Sequence, residues 1–241
     1  MSLIGISGKI GSGKSTVGGI IQMLTSPKYS YTENIDKLFE HCRKGFCPLE
    51  LVPQSPWQIK SFAHKIKEIV SILTGCSVKD LEDKDFKNRV LPECWYKDGQ
   101  QTTYRWLLQN IGTECFRNNL HPDTWVNALF SDYKSKFTVT KHNETNVSAI
   151  DKYPNYIITD IRFPNELKAI EDRGGITIRV NRHWKFVHGL KVVFNDVPAM
   201  YQHESETALD KAIFKYTIDN DSTLEDLIEK VRIILKEENI I

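Results

Sequence analysis

Hydrophobic and polar residues along this chain follow two periodicities, one typical of strands and one typical of helices. Short apolar or alternating runs predict strands at residues 2–7, 57–62, 156–159, 176–180 and 216–218. Apolar residues at helical spacing predict helices at residues 17–24, 62–73, 103–117 and 164–173, after residue 121, and from residues 203 and 222 onward. Strands that alternate with helices are typical of an α/β fold, in which a mostly parallel sheet lies between helical layers.

Several residues predict where these helices begin and end. Gly75 is a typical C-terminal stop, and a threonine at 102–103 is a suitable N-cap for the helix that follows it. Pro122 suits the first turn of the next helix. Ser222 and Glu225 have the spacing of a capping box, so we expect Ser222 to cap the C-terminal helix.

Other segments lack a clear helical or strand pattern. Residues 25–55 contain prolines at positions 27, 48 and 53 and predict an irregular insertion, with a short helix at residues 34–43. Residues 138–154 are polar and aperiodic, which predicts a loop insertion. Residues 181–203 are rich in basic side chains and are expected to form a mobile cationic lid, with a solvated surface loop as the alternative.

The composition narrows the function classes. The 241 residues include 32 basic and 31 acidic ones, for a net charge of +1, so no global field favours nucleic acid or an anionic membrane. No apolar run approaches the roughly 20 residues of a transmembrane helix. Five scattered cysteines indicate reduced thiols, and His41, Cys42 and Cys47 form at most half of a zinc site. We therefore expect a soluble, cytoplasmic protein.

The first predicted strand leads into a glycine-rich loop. Gly8, Gly13, Lys14 and Ser15 occupy every fixed position of the P-loop pattern G-x-x-x-x-G-K-[S/T], between a predicted strand and a predicted helix. Glycines let backbone N–H groups turn toward phosphate oxygens, and the helix N-terminus adds the positive end of its dipole. We expect Lys14 to reach the outer phosphates of ATP or GTP. The predicted triphosphate-binding residues are Gly8, Lys9, Gly11, Ser12, Gly13, Lys14, Ser15 and Thr16.

A second charged cluster follows the strand at residues 156–159. Asp160 comes directly after that strand, and Arg162 lies two residues further on. An aspartate in this place commonly holds Mg²⁺ beside a P-loop, so Ser15 and Asp160 are the predicted metal ligands. A guanidinium matches phosphate oxygens in a bidentate way, so Arg162 is expected to neutralise a transferring phosphoryl group. Lys14, Asp160 and Arg162 are therefore the predicted catalytic residues.

The helix predicted at residues 103–117 carries a candidate acceptor site. Arg105, Gln109 and Gly112 recur at intervals of four and three residues, so they share one face, and Thr113 lies beside them. A small residue between an arginine and a glutamine lets a flat ring approach and holds its phosphate. The alternative is that Gly112 marks a helix kink and Arg105 is a surface charge.

Lys67 is a further candidate. It lies near the start of the helix predicted at residues 62–73, close to the carboxyl end of the preceding strand. Ligands bind at that edge in open α/β sheets. A solvated helix lysine is the alternative interpretation.

These segments occur in the order seen in one enzyme family. The matching residues are Gly8 to Ser15, Phe62-Ala63 with Lys67, Arg105 with Leu108-Gln109 and Gly112-Thr113, Trp125-Val126, Asp160-Ile161-Arg162-Phe163-Pro164-Asn165-Glu166, His203-Glu204-Ser205-Glu206 and Asn220-Asp221. In them the chain resembles the deoxynucleoside monophosphate kinases of tailed bacteriophages. The resemblance spans nearly the whole chain apart from residues 25–55 and 138–154. The block from Asp160 to Glu166 and the helix that reaches Gly112-Thr113 are more specific than the P-loop.

The resemblance implies a single kinase domain over residues 1–241 with a three-layer NMP-kinase-like fold. It places a helical substrate-binding region at about residues 63–138 and the lid at about residues 181–203. The implied reaction transfers the γ-phosphoryl group of ATP, with Mg²⁺, to a deoxynucleoside 5′-monophosphate in the cytoplasm, which is the host's if a phage encodes the protein. The residues implied around the acceptor are Phe62, Ala63, Lys67, Arg105, Gly112, Thr113, Trp125, Asp160, Arg162 and Glu166.

Other functions remain open. Dephospho-coenzyme A kinases have a similar loop, but their acidic motif after the first helix is not found here. Another small-molecule P-loop kinase, or a nucleotide-dependent switch or assembly module, is also compatible with the motifs. A nucleic-acid-end kinase is disfavoured because no extended basic patch is present. The expected partners are small nucleotides, without nucleic acid or membrane, and the assembly is a monomer or a homodimer.

Overall fold

The structure is a computed structural model that describes residues 2–27, 55–143, 146–187, 190–193 and 203–241. It divides into two compact units. The helical unit is Ser61–Asp132, and the sheet unit consists of the described residues before and after it. The predicted helix at residues 34–43 lies outside the described residues. Within the described part, no helix has both the length and the apolar character needed to cross a bilayer.

The sheet unit is built on five parallel strands. In spatial order they are β2, β5, β1, β6 and β9. Their bounds are β1 Leu3–Ser7, β2 Trp57–Lys60, β5 Asn155–Ile161, β6 Ile176–Asn181 and β9 Tyr216–Asp219. Because all five run the same way, their carboxyl ends meet at one edge, where ligands bind in open α/β sheets. The predicted α/β architecture is confirmed, and the sheet is entirely parallel.

Helices cover both faces of this sheet. Helices α1 (Lys14–Leu24) and α8 (Leu224–Glu237) pack together on one face, and their apolar residues form one core with Ile4, Ile6, Ile178 and other strand residues. Helix α6 (Pro164–Glu171) lies on the other face, where Ile170 lies close to Gly5 of β1. The strand side chains in this core are buried, so this layer forms an apolar core next to the P-loop.

Three α-helices and a π-helical segment of the helical unit carry or adjoin the candidate acceptor residues. They are α2 (His64–Thr74), α4 (Tyr104–Gln109), the π-helix Asn110–Asn118 and α5 (Thr124–Phe130), while a short helix α3 (Lys84–Lys87) lies between α2 and α4. Val70, Leu81, Leu91, Leu107 and Ile111 form the buried core of this unit. Gly75 ends α2 with a φ of 74°, as predicted, because a left-handed residue is favourable there only without a side chain.

Two segments differ from their predicted loops. Residues 138–154 form most of a hairpin, β3 (Lys136–Asn143) with β4 (Asn146–Lys152), so the prediction of a loop was wrong. The alternation of Phe137 and Val139 with threonines is a strand pattern that the many polar residues obscured. The predicted lid contains a second hairpin, β7 (Trp184–Val187) with β8 (Leu190–Val193), and residues 194–202 lie outside the described part.

Several helix boundaries shift by one or two residues. Thr223, rather than Ser222, caps α8, and its hydroxyl accepts from the N–H of Asp226 at 3.2 Å. Pro122 lies two residues before the first residue of α5 instead of in its first turn. Thr103 caps α4 as predicted and accepts from Trp106 N–H at 3.1 Å. Capping residue types recur along this chain, so local sequence alone does not select among adjacent candidates.

Candidate functional site

The glycine-rich loop joins the carboxyl end of β1 to the start of α1. Gly8 and Gly13 have positive φ angles of 153° and 101°, which a side chain would oppose. A Cβ on Gly8 would also meet the carbonyl oxygen of Val180, and one on Gly13 would meet the amide of Asn220. The loop backbone therefore curves in a way that only glycine permits at these two positions.

The start of α1 presents an anion-binding surface. Its N-cap is Gly13, so no side chain caps the first-turn N–H groups, and its first turn has no acidic residue. Ser12 is buried at 2% exposure, and its Oγ has no hydrogen-bond partner within the described residues. A buried hydroxyl without a partner is costly, and a phosphate oxygen would supply one. The loop therefore fits the phosphate tail of a nucleotide.

Lys14 folds back over this loop. Its Nζ donates to the carbonyl oxygens of Gly8 at 2.6 Å and Lys9 at 2.9 Å. Burial is the main reason why the pKa of Lys14 falls from its ordinary value of 10.5 to about 7. The charges of Arg162 and Arg179 also lower this pKa, whereas the Asp160 carboxylate raises it. These side chains are therefore close enough to Lys14 to interact electrostatically.

Arg162 is held beside the loop by a short helix, α7 (Glu204–Thr207). Its Nη1 forms an ion pair with Glu206 and donates to the carbonyl oxygen of Ser205 at 3.2 Å. Asp160 is the next-to-last residue of β5, and it is half-buried. The structure thus brings Lys14, Asp160 and Arg162 to one edge of the sheet, whereas their catalytic roles remain predictions.

The carboxylate of Glu166 accepts hydrogen bonds from the backbone at the start of α6. Its carboxylate accepts from the backbone N–H of Arg162 at 2.8 Å and of Phe163 at 3.2 Å, which caps the start of α6. The side chain is almost completely buried, at 2% exposure for the residue. Its predicted contact with the acceptor remains untested, and the capping role explains its place after Asp160 and Arg162.

Four further residues contact the loop or its neighbouring cations. Arg179 of β6 donates to Ser7 Oγ at 3.1 Å and pairs with Asp210 at 3.3 Å, while Asp210 also pairs with Lys9 at 2.8 Å. Asn220 Nδ2 donates to the carbonyl oxygen of Ser12 at 2.8 Å. Glu206 completes the set through Arg162. In the sequence, Glu206 and Asn220 lie within segments that carry the family resemblance, whereas Arg179 and Asp210 show no signal beyond their charge.

In the helical unit, the predicted acceptor residues have partners of their own. Lys67 Nζ donates to Glu82 Oε1 at 2.6 Å, so Lys67 is ion-paired rather than simply solvated. Arg105 Nε donates to Asn88 Oδ1 at 2.9 Å. Both pairs involve at least one exposed partner, so each of these two contacts contributes little to stability.

The helix that carries Arg105 changes type at Asn110. Arg105 and Gln109 lie on α4, whereas Gly112 and Thr113 lie on the π-helix, so the helix predicted at residues 103–117 is not one regular α-helix. The shared face for an acceptor and the alternative of a kink at Gly112 stay predictions. π-Helical segments are rare and are often found at functional sites.

Packing explains several of the remaining residues. A Cβ on Gly112 would lie 3.0 Å from Ile66 Cδ1, so glycine lets α2 approach this helix. Trp125 is buried and its Nε1 donates to the Gly112 carbonyl oxygen at 2.7 Å. Phe62 is also buried, with its ring edge-on to Phe130. Ala63 directly precedes α2, and Thr113 is buried. Acceptor contacts by these residues remain predictions.

The parallel sheet and the glycine-rich loop together indicate the class of fold. An all-parallel sheet flanked by helices, with a glycine-rich loop between β1 and α1, is consistent with a P-loop kinase-like fold. Among curated proteins, the chain is similar to the deoxynucleotide monophosphate kinase of Enterobacteria phage T4, with 30% identity over 136 residues. The match covers 56% of this chain and 46% of that relative, so the chain spans less than half of the relative's length. No model of a known protein family matches the chain. The similarity supports a kinase-like relationship.

Proposed function

We propose that this protein transfers the γ-phosphoryl group of ATP to a deoxynucleoside 5′-monophosphate. The observation that carries the proposal is the meeting of Lys14, Asp160 and Arg162 beside a glycine loop whose buried Ser12 hydroxyl lacks a partner within the described residues. The partial similarity to a deoxynucleotide monophosphate kinase supports the choice of acceptor.

The mechanism relies on positioning and charge. The loop N–H groups and Lys14 hold the donor phosphates, and Arg162 neutralises the transferring group as it passes in line to the acceptor. Ser15 and Asp160 would hold Mg²⁺, which supplies charge neutralisation across the donor phosphates when it is bound. The accepting phosphate is already largely ionised near neutral pH, so no general base is required.

We assign acceptor binding to the helical unit. Arg105 is the residue proposed to bind the monophosphate, because its guanidinium can pair with two phosphate oxygens at once. Gln109, Gly112 and Thr113 are proposed to contact the base and sugar, because they lie at or beside a π-helical segment, and such segments are frequent at functional sites. Phe62, Ala63, Lys67, Trp125 and Glu166 complete the proposed acceptor set.

An ATP-coupled screen of deoxy- and ribonucleoside monophosphates, with dephospho-coenzyme A included, tests the proposal. We expect turnover with at least one deoxynucleoside monophosphate, and a loss of at least about 100-fold in Lys14→Ala, because the loop loses its cation. Lys236→Ala, which changes an exposed lysine on α8, is the matched control and should retain full activity.

Different results lead to different functions. Turnover with dephospho-coenzyme A alone would show that the acceptor is dephospho-coenzyme A and not a nucleoside monophosphate. ATP hydrolysis without any acceptor would favour a switch or assembly module. Full activity in a folded Lys14→Ala variant would contradict the proposed site.

A further inference from the structure

Glu206 is a buried carboxylate that faces the phosphate loop from a distant part of the chain. The residue is 6% exposed, and its side chain is 2% exposed. One oxygen, Oε2, accepts from the backbone N–H of Ile10 at 3.1 Å, and the other, Oε1, pairs with the guanidinium of Arg162. A carboxylate this deeply buried is retained only when both oxygens are satisfied, and here the two partners lie on different loops.

The charge balance around the loop gives this carboxylate a specific task. Glu206 pairs with one of four basic residues at this edge, namely Arg162. The other three are Lys9, Lys14 and Arg179. An arginine that approaches Lys14 without a counter-charge would be driven away by repulsion. The Glu206 carboxylate offsets part of that repulsion and restrains the guanidinium, because the ion pair and the bond to Ser205 both act on Nη1.

We infer that Glu206 is a positioning residue that fixes the Arg162 guanidinium against the tip of the phosphate loop. This inference rests on the proposed function in one respect, namely that Arg162 stabilises the transferring phosphoryl group. Glu206 does not touch the nucleotide. Its contacts to Ile10 and Arg162 set the distance between the loop that holds the donor and the guanidinium that meets the transferring group.

The predicted signature separates positioning from simple structural support. Replacing Glu206 by glutamine removes a negative charge beside the phosphates, so the affinity for ATP should stay the same or rise. The same change places an amide N–H₂ against a donor, either Arg162 or Ile10, which loosens the guanidinium and lowers kcat. A variant whose loop is merely damaged would lose affinity and kcat together.

Arginine side-chain NMR tests the inference without catalysis. An immobilised guanidinium gives resolved Nη–H signals, which we expect for Arg162 in the wild-type protein, with the assignment made by Arg162→Lys. These signals should collapse in Glu206→Gln and persist in Glu204→Gln, which neutralises an exposed carboxylate on the same helix. Thermal unfolding confirms that each variant is folded. Unchanged Arg162 signals in folded Glu206→Gln would overturn the inference.

Kinetics provide the second arm. With an active wild-type enzyme, we expect kcat in Glu206→Gln to fall by about tenfold or more while the Kd for ATP weakens by no more than about twofold. In an Arg162→Ala background the same substitution should change kcat by less than about twofold, because its effect passes through Arg162. Additive effects of the two changes would overturn the inference and leave the proposed function intact. A wild-type protein that phosphorylates no monophosphate would refute the proposed function, and the NMR arm would still decide the role of Glu206.

Discussion

Lys14 shows how one side chain combines a binding role with a titration near neutral pH. The residue is half-buried, and burial together with the charges of Arg162 and Arg179 lowers its pKa to about 7. A bound polyphosphate brings several negative charges within reach, which favours the charged form and raises the pKa again. Nucleotide binding should therefore be coupled to proton uptake whenever the pH lies above 7.

Proton uptake by Lys14 on binding predicts how the affinity for ATP depends on pH. Below about pH 6 Lys14 is almost fully charged, so binding takes up almost no proton at this site. Between pH 7.5 and 9, the charged fraction of the free protein falls, so the affinity should fall by up to about tenfold per pH unit. Calorimetry in buffers of different ionisation enthalpy measures the uptake directly.

Lys14→Arg is the matched control for that experiment. Arginine keeps its charge throughout this pH range, so the affinity of the variant should not vary with pH through this group. Equal pH dependence in the wild type and Lys14→Arg would contradict a low pKa for Lys14.

The segment of residues 203–210 contacts the loop and its neighbouring cations through two carboxylates. Its Glu206 reaches Ile10 and Arg162, and its Asp210 reaches Lys9 and Arg179. Asp210 is 40% exposed on its side chain, in contrast to the buried Glu206. The segment therefore presents one buried carboxylate that positions a group and one exposed carboxylate that competes with phosphate for cations.

This contrast predicts the effect of Asp210→Asn. Removal of the exposed carboxylate leaves Lys9 and Arg179 available to a polyanion, so the affinity for tripolyphosphate should rise by about fivefold at low salt. The gain should shrink at high salt because exposed charges are screened. Fluorescence or calorimetric titration at two salt concentrations measures both effects.

Asp226→Asn is a suitable control because Asp226 forms a comparable exposed ion pair, with Lys230 on α8. Its affinity for tripolyphosphate should equal that of the wild type. A loss of affinity in Asp210→Asn would show that this carboxylate supports the loop instead of competing with phosphate.

The whole molecule depends on a core that lies next to the site. Ile178 of β6 is completely buried between the sheet and α1 with α8, one residue before Arg179. Neighbouring residues on a strand face opposite sides, so the same strand supplies an apolar side chain to the core and a cation to the loop. Loss of core packing in the sheet unit should therefore reduce stability where the site is built.

Ile178→Ala should lower the free energy of unfolding by about 2–5 kcal/mol, through lost burial and a cavity. Urea denaturation followed by circular dichroism measures this change. Ile233→Ala on α8 makes the same substitution at a residue that is 48% exposed and should cost less than about 1 kcal/mol. Similar costs at the two positions would contradict the described core.

Local patterns were sufficient for much of the fold. The strands that lead into Gly8 and Asp160, the stop of α2 at Gly75 and the cap of α4 at Thr103 depend on residues close together in sequence. The hairpin at residues 136–152 was missed because its polar composition outweighed its alternation. The change from α- to π-helix at Asn110 was missed because it depends on packing of the helix against its neighbours.

The sequence alone was enough to identify the P-loop and to place Asp160 and Arg162 at the carboxyl end of a strand, because those signals are short and local. The tertiary structure was needed to find Glu206, Asp210, Arg179 and Asn220 beside that loop. Glu206 and Ile10 are separated by 196 positions in the chain, and no periodicity links them. They meet because parallel strands bring their carboxyl ends to one edge, where the cations of a phosphate site need counter-charges.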